Sequence, residues 1–471
     1  MAFGGITAVF WLLVLTQVHG GASLSSGTAD GMERWGYVEV RPKAHIFWWY
    51  IQSLQRVPSP MKPWPTILWL QGGPGQSGIG LGNFAEIGPL DVDLNPRNLT
   101  WLQKADLIFV ENPVGVGFSY VDDLSALAKT DLQAAKDLTE LLKELAKEIP
   151  TLQSSPLFLV GESYGGKLAA KAGVLVARAI RAGTLELTLG GVVLGDSWIS
   201  PDDYALSYPW LLEGVSRLDD NAVGKGIMMA VKVKQQMAAG QFVAAYTTWV
   251  NLLDMIDSRS GSVNMENFML DTTVSSVLSD SAARPLLSPG NCQAANNGSN
   301  KVSDTVNGFL KQKFKIIPKD FIWQQVSLQV FDALANDFMK PAINEVDELL
   351  SYGVNVTVYN GQYDVICSTL GAEAWVKRLK WDGLHNFLSL PRKPLHYCHP
   401  YYLTNGFVRS YKNLHFYWIL GAGHTVCLLI IHMTISEAKA EDLVPFVLQV
   451  PVDRPCTALY MISSIVQSPA N

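Results

Sequence analysis

The feature that most constrains this chain is Gly161-Glu162-Ser163-Tyr164-Gly165, a G-x-S-x-G pentapeptide set between two contrasting patterns. Residues 157–160 (LFLV) are a short apolar run of the kind a fully buried strand shows, and residues 167–182 carry helical periodicity. A strand that turns into a helix within five residues brings backbone against backbone. Glycines on both sides of the serine permit that approach, and the serine hydroxyl is pushed out beyond the sheet edge. The pentapeptide alone is weak, since Gly and Ser are common. Its strand-before, helix-after setting makes it specific.

The rest of the chain supplies the sheet this turn requires. Residues 35–40 and 45–51 read as a strand pair around a turn at Arg41-Pro42-Lys43, and residues 66–70 (TILWL) as a buried strand. Residues 107–111, 191–194, 354–359 and 414–420 are further buried strands, the last being the final clear one. Residues 124–149 have a helical period, with Leu132, Leu138, Leu141, Leu142 and Leu145 on one face. Strands alternating with helices predict an α/β-hydrolase fold, with a mixed, mainly parallel central sheet flanked by helices. Between residues 200 and 330 polar loops and helices replace the strand series, which predicts a helical cap insertion. The expected organisation is a first core part over residues 23–200, a cap over 201–330, and a second core part over 331–471.

Composition narrows the setting. Hydrophobic content of 48% with 17% charged residues describes a globular chain, and the net charge of −6 comes without a basic stripe. Nucleic acid is therefore not an expected partner. The first 22 residues carry an apolar stretch around Phe10–Leu15 followed by Gly20, Gly21, Ala22 and Ser23, which reads as a signal peptide too short to span a bilayer. The mature chain is thus expected to have no membrane span and to be secreted or lysosomal. Sequons at Asn98, Asn297 and Asn355 agree with export as glycosylation sites. Five cysteines, Cys292, Cys367, Cys398, Cys427 and Cys456, allow two disulfides with one thiol over.

A hydroxyl is a weak nucleophile until a base takes its proton, and the base needs an acid to orient it. In this fold the partners follow the serine in the order acid, then histidine, each just after a strand. Asp364 follows residues 354–359 in Asn360-Gly-Gln-Tyr-Asp364, and His424 follows residues 414–420 in Gly421-Ala-Gly-His424. Separately, Asp364 could cap a helix and His424 could be a surface histidine. Ser163, Asp364 and His424 in this order and setting point to a catalytic triad. The tetrahedral intermediate needs two N–H donors, expected from Tyr164 and from Gly73 in Gly72-Gly73-Pro74-Gly75. That loop lacks the Gly-Lys-Ser/Thr of a phosphate cradle. His396, Cys398 and His399 crowd one loop without a remote fourth ligand, so no metal and no cofactor are expected.

WLQGGPG, NPVGVGFSY, GESYGG, NGQYD and GAGH, in this order, resemble the serine carboxypeptidase family from about Trp35 to the C-terminus. The resemblance implies peptide substrates cleaved at their C-terminal residue through an acyl-enzyme, favoured at acidic pH. It also implies that Glu162 and Glu86 share a proton and bind the substrate carboxylate with Trp69, Gln71 and Gly72. Crowded carboxyls cannot all be ionised, which agrees. Read blandly, Glu86 is a surface acid before a turn. Gln71 stands where most of the family has Asn, one methylene shorter, so its hold on the carboxylate differs in detail.

The resemblance breaks after His424. The family continues His-x-Val-Pro, and here Val426 and Pro451 rejoin that pattern around residues 427–450, an apparent extra insertion carrying Cys427. Removing Cys427 from the count leaves four cysteines for two bridges. An insertion three residues after the base makes one other reading worth carrying, a weakened or inactive protein that binds or stabilises a partner. The resemblance implies another, a carboxypeptidase-like acyltransferase, since plant relatives in the family move acyl groups to alcohols. A homodimer is compatible with all three.

Overall fold

The strand predicted to launch the serine is one of twelve in a single sheet among the described residues. A computed structural model describes residues 23–57, 63–272, 296–398, 403–424 and 450–467. The expected signal peptide, Cys292, His399 and nearly all of the 427–450 segment with Cys427 lie outside those residues. In chain order the strands are β1 (Ser23–Gly27), β2 (Glu33–Arg41), β3 (Ala44–Ile51), β4 (Thr66–Leu70), β5 (Asp106–Val110) and β6 (Tyr120–Val121). They continue with β7 (Pro156–Glu162), β8 (Thr188–Gly195), β9 (Val356–Gly361), β10 (Lys393–Leu395), β11 (Gly406–Tyr411) and β12 (Leu414–Ile419).

The sheet runs β1-β2-β3-β5-β4-β7-β8-β9-β12-β11-β10, with β6 beside β3. Pairings from β5 through β12 at the centre are parallel, and antiparallel pairs extend both edges. The central strands β4 and β5 are buried along their whole length, as continuous apolar runs in a parallel sheet require. One apolar cluster lies on each face. The larger joins helices α1 (Asp131–Glu148) and α2 (Tyr164–Arg181) to Leu68, Leu159 and Val192, and the smaller joins the C-terminal helix Pro455–Val466 to Trp69 and Phe109.

Several boundaries differ from expectation. The helix expected over 124–149 begins only at Asp131, because the Thr130 hydroxyl accepts from the Gln133 N–H at 3.2 Å and caps it there. Leu132, expected on its buried face, is 51% exposed in the first turn, whereas Leu138, Leu141, Leu142 and Leu145 are buried. Helix α2 starts at Tyr164 rather than Lys167, directly after the serine. Between β8 and β9 the described chain is helical, beginning with α3 (Pro201–Gly214), α4 (Asp220–Ala238) and α5 (Phe242–Ser260).

An ion pair inside the core holds α1 to α2. Lys167 Nζ lies 3.0 Å from Asp131 Oδ2, both side chains being buried, and donates to the carbonyls of Asp337 and Phe338. Asp131 also accepts from the Tyr164 hydroxyl, so its charge anchors the first turn after the serine. Lys167→Met is expected to destabilise the protein by about 3–5 kcal/mol, because it strands a buried carboxylate. Adding Asp131→Asn should recover part of that loss. Equal denaturation midpoints for wild type and Lys167→Met would contradict it.

Candidate active site

The predicted triad and the glycine loop lie where parallel strands end, on the one edge of the sheet where such strands open into loops. Residues 71–75 follow β4, Ser163 follows β7, Asp364 follows β9 and His424 follows β12. Ser163 has φ 55° and ψ −125°, an unfavourable left-handed backbone held by the strand before it and the helix after it. The turn closes because Gly165 packs on the carbonyl of Leu70, where a Cβ would collide. Gly72 meets the serine in the same way: a Cβ there would stand 2.7 Å from Ser163 Cβ.

The three side chains form a continuous hydrogen-bonded line. Ser163 Oγ is 3.1 Å from His424 Nε2, and His424 Nδ1 is 2.8 Å from Asp364 Oδ2. Asp364 is fully buried and accepts a further bond from the Cys367 N–H at 2.9 Å. His424 is 5% exposed and Ser163 half-buried, so the line opens to solvent mainly at the serine. Burial pushes the imidazole below its ordinary range, against the raising effect of Asp196, Glu266 and Glu86. A neutral imidazole bonded to a carboxylate at Nδ1 presents Nε2 as acceptor to the hydroxyl. That is the state a general base needs.

The loop carrying His424 is tied on both sides. Its backbone N–H donates to the carbonyl of Glu266 at 2.8 Å, and Gly423 N–H donates to Asp453 Oδ2 at 2.8 Å. Arg454 Nε holds the carbonyl of Leu420 at 3.0 Å. Asp453 and Arg454 lie beyond the extra segment in sequence. The histidine is therefore in reach of the serine although residues 427–450 intervene between it and its own supports.

Beside the serine sits the predicted acid group. Trp69 Nε1 donates to Gln71 Oε1 at 2.8 Å, and Gln71 Nε2 donates to Glu86 Oε1 at 3.1 Å. Glu86 in turn hydrogen-bonds Glu162. Glu86 is 3% exposed and Glu162 1%, so the surface reading of Glu86 is overturned. It is buried because the π-helical segment Gly78–Ile87, every residue of which is buried, folds over the edge of the sheet. Burial first, then the charge of Glu86, holds the Glu162 carboxyl well above the usual carboxylate range. Tyr164 opens α2 directly after the serine, and Gly73, with φ 107°, follows the Gly72 that abuts it.

The expectation that Cys427 is the odd thiol, with Cys367 in a bridge, is corrected among the described cysteines. Cys398 and Cys456 form a disulfide, but Cys367 is a free, buried thiol. Its Sγ lies within 4.8 Å of ligand atoms of Asp364 and His424. Burial pushes that thiol up, away from the thiolate a metal would need. Cys398, whose sulfur is in the disulfide, is also removed from the rejected zinc cluster. Two of the buried acids that escaped the sequence reading bear on the site. Glu111 accepts from Ser77 Oγ (2.7 Å), Trp323 Nε1 (3.0 Å) and the Gly78 N–H (3.0 Å) and so anchors the segment bearing Glu86. Asp196, directly after β8, contacts Asp364. Its signal was Gly195-Asp196-Ser197, an acid directly after a buried strand.

Comparison with known proteins agrees with this geometry. The serine carboxypeptidase (Peptidase S10) family profile matches residues 25–430. Serine carboxypeptidase-like 51 of Arabidopsis thaliana is 49% identical, covering 98% of this chain and 99% of its own length. Human retinoid-inducible serine carboxypeptidase is 43% identical over 88% of this chain and 93% of its own. Among solved structures, that of Kex1(delta)p, a prohormone-processing carboxypeptidase from Saccharomyces cerevisiae, superposes with a TM-score of 0.69 at 22% identity, covering 83% of this chain and 87% of that one. With a strand-edge serine, a buried acid pair beside it and relatives of this identity along nearly its whole length, the chain belongs to the serine carboxypeptidase family of α/β-hydrolases.

Proposed function

We propose that this protein removes C-terminal residues from peptides in acidic surroundings, through an acyl-enzyme on Ser163. His424 takes the Ser163 proton and returns it to the leaving amine, while Asp364 fixes the imidazole. The N–H groups of Tyr164 and Gly73 receive the oxyanion. Trp69, Gln71, Gly72, Glu86 and Glu162 hold the substrate carboxylate, the acids donating the proton they share. The observation that carries this reading is that buried acid pair, one member of which, Glu162, is next in sequence to the serine. A pair holding one proton can hydrogen-bond an anion, and only a substrate with a free C-terminal carboxylate uses it.

The acidic preference follows from the same pair. Glu162 is raised, so its proton is present in acid and lost as pH rises through the raised value. Loss sets two negative charges against the substrate's own. For free-acid peptides, kcat/KM is expected to fall by about tenfold per pH unit beyond that point. Amide-blocked peptides should lack this limb. Parallel profiles for the two substrates would overturn the carboxylate assignment, and ester acyl transfer outrunning hydrolysis would favour the acyltransferase reading. The inactive-binder reading required a displaced His424, and the 3.1 Å contact with Ser163 counts against it.

The Cys398–Cys456 bridge supports an oxidising compartment, in line with a signal peptide at residues 1–22 and secretory or lysosomal residence. Asn98 and Asn355 are exposed and suit glycosylation, proposed also at Asn297. Among the described residues no helix is long and apolar enough to cross a membrane. The helices within residues 201–330 act as a cap on the substrate site, and residues 427–450 are an added segment of the second core part.

A further inference from the structure

A third carboxyl stands behind the serine, histidine and aspartate, and the mechanism above gives it no work. Asp196 directly follows β8 with φ 40°, a left-handed conformation that Asp tolerates better than most residues. It is 1% exposed. Its N–H donates to the Tyr359 carbonyl at 2.8 Å, and its Oδ1 accepts from the Gly361 N–H at 2.7 Å. The side chain is thereby fixed to the end of β9, the strand that delivers Asp364. From there its carboxyl hydrogen-bonds the carboxyl of Asp364.

Two buried carboxyls in contact cannot both be ionised, so the pair holds a proton. The number of donors decides which group keeps it. Asp364 accepts from His424 Nδ1, from the Cys367 N–H and from the backbone at Ile366. Among the described residues, the backbone donor to the Asp196 carboxyl is Gly361. The negative charge therefore settles on Asp364 and the proton on Asp196. An O–H donated to Asp364 draws on the same charge that makes His424 basic. A charged Asp196 would instead add to it.

We propose that Asp196 is a positioning residue, a neutral carboxylic acid that donates a hydrogen bond to Asp364 and so keeps His424 unprotonated, hence competent as a base, in acid. The inference rests on the Ser163–His424–Asp364 reading given above. The titratable groups around Asp196 are Asp364 and Cys367 after β9, Tyr359 within β9, His424 after β12, Tyr204 on α3 and Glu162 on β7. Burial pushes Tyr359, Tyr204 and Cys367 upward, so none of them becomes charged in the acidic range. Burial likewise pushes Asp196 well above the usual range, and the neighbouring Asp364 adds to it.

The test is the rate at which a fluorophosphonate labels Ser163, followed against pH, because it reads the Ser–His dyad without calling on peptide binding. In Asp196→Ala the acidic limb of that rate is expected to move upward by about one pH unit, the tenfold effect of one hydrogen bond to a charged group. Labelling should recover as the pH rises. Asp196→Asn can keep its oxygen on the Gly361 N–H and turn its NH2 to Asp364, so it is expected to bring the limb back. Asp196→Val, which fills the volume, replaces the alanine variant if that one does not fold. A loss of equal factor at every pH would mean packing alone and overturn the proposal, as would an asparagine variant displaced as far as alanine. Wild-type protein that labels but cleaves no peptide would sink the carboxypeptidase reading alone. Wild-type protein that never labels would sink both.

Discussion

Ser163→Ala is expected to lower kcat/KM on peptides by on the order of 10⁶-fold while leaving the melting temperature nearly unchanged. The serine's recorded side-chain hydrogen bond is to His424 Nε2, and its side chain is half-buried at the mouth of the site. Removing one oxygen there takes away the nucleophile and opens no core cavity. The φ of 55° is unfavourable for serine and alanine alike, so that cost cancels between the two proteins. It does not cancel for Ser163→Gly, which should be equally inactive yet more stable by about 1 kcal/mol, since glycine adopts this conformation freely. Turnover of purified protein and thermal unfolding of the three forms check both statements. Retained hydrolysis in either variant would remove Ser163 from the mechanism.

Ser163, Asp364 and His424 could be read from the sequence for a physical reason. Each sits within a few residues of an apolar run short enough to be only a buried strand, and parallel strands place their exits on one edge. The same logic would have reached Asp196, had the reading continued past Leu194 into Gly195-Asp196-Ser197. Glu86 was harder. Its segment, Gly78–Ile87, has neither strand alternation nor a helical period of 3.6, so nothing local announces that it is buried. The fate of Cys367 was illegible because spacing carries no information on which thiols meet. Leu132 matched its helical face in the pattern, but in the first turn of α1 that face extends past the core. Strands β1, β10 and β11 went unread because edge strands need no continuous apolar run.

Asp364→Asn is expected to lower kcat by about 10⁴-fold with only a modest loss of stability. Asp364 receives donors on both oxygens, His424 Nδ1 on Oδ2 and the Cys367 N–H on Oδ1. An asparagine has one oxygen for the two. Keeping it on the Cys367 N–H turns the amide NH2 toward His424 Nδ1, which must then act as acceptor. The imidazole proton moves to Nε2, where it faces Ser163 and cannot receive a proton from it. The opposite orientation leaves the NH2 against the Cys367 N–H, two donors facing each other in a buried place, which costs about 1–3 kcal/mol. The first arrangement is therefore favoured, and it is the inactive one. Asp364→Ala should retain more activity than Asp364→Asn at equal folded fraction, because it removes the orienting group without enforcing the wrong tautomer. Pre-steady-state acylation of folded protein measures the step directly. Activity within tenfold of wild type in Asp364→Asn would show that His424 is oriented by another group, with the carboxyls of Glu266 and Asp196 the ones to test.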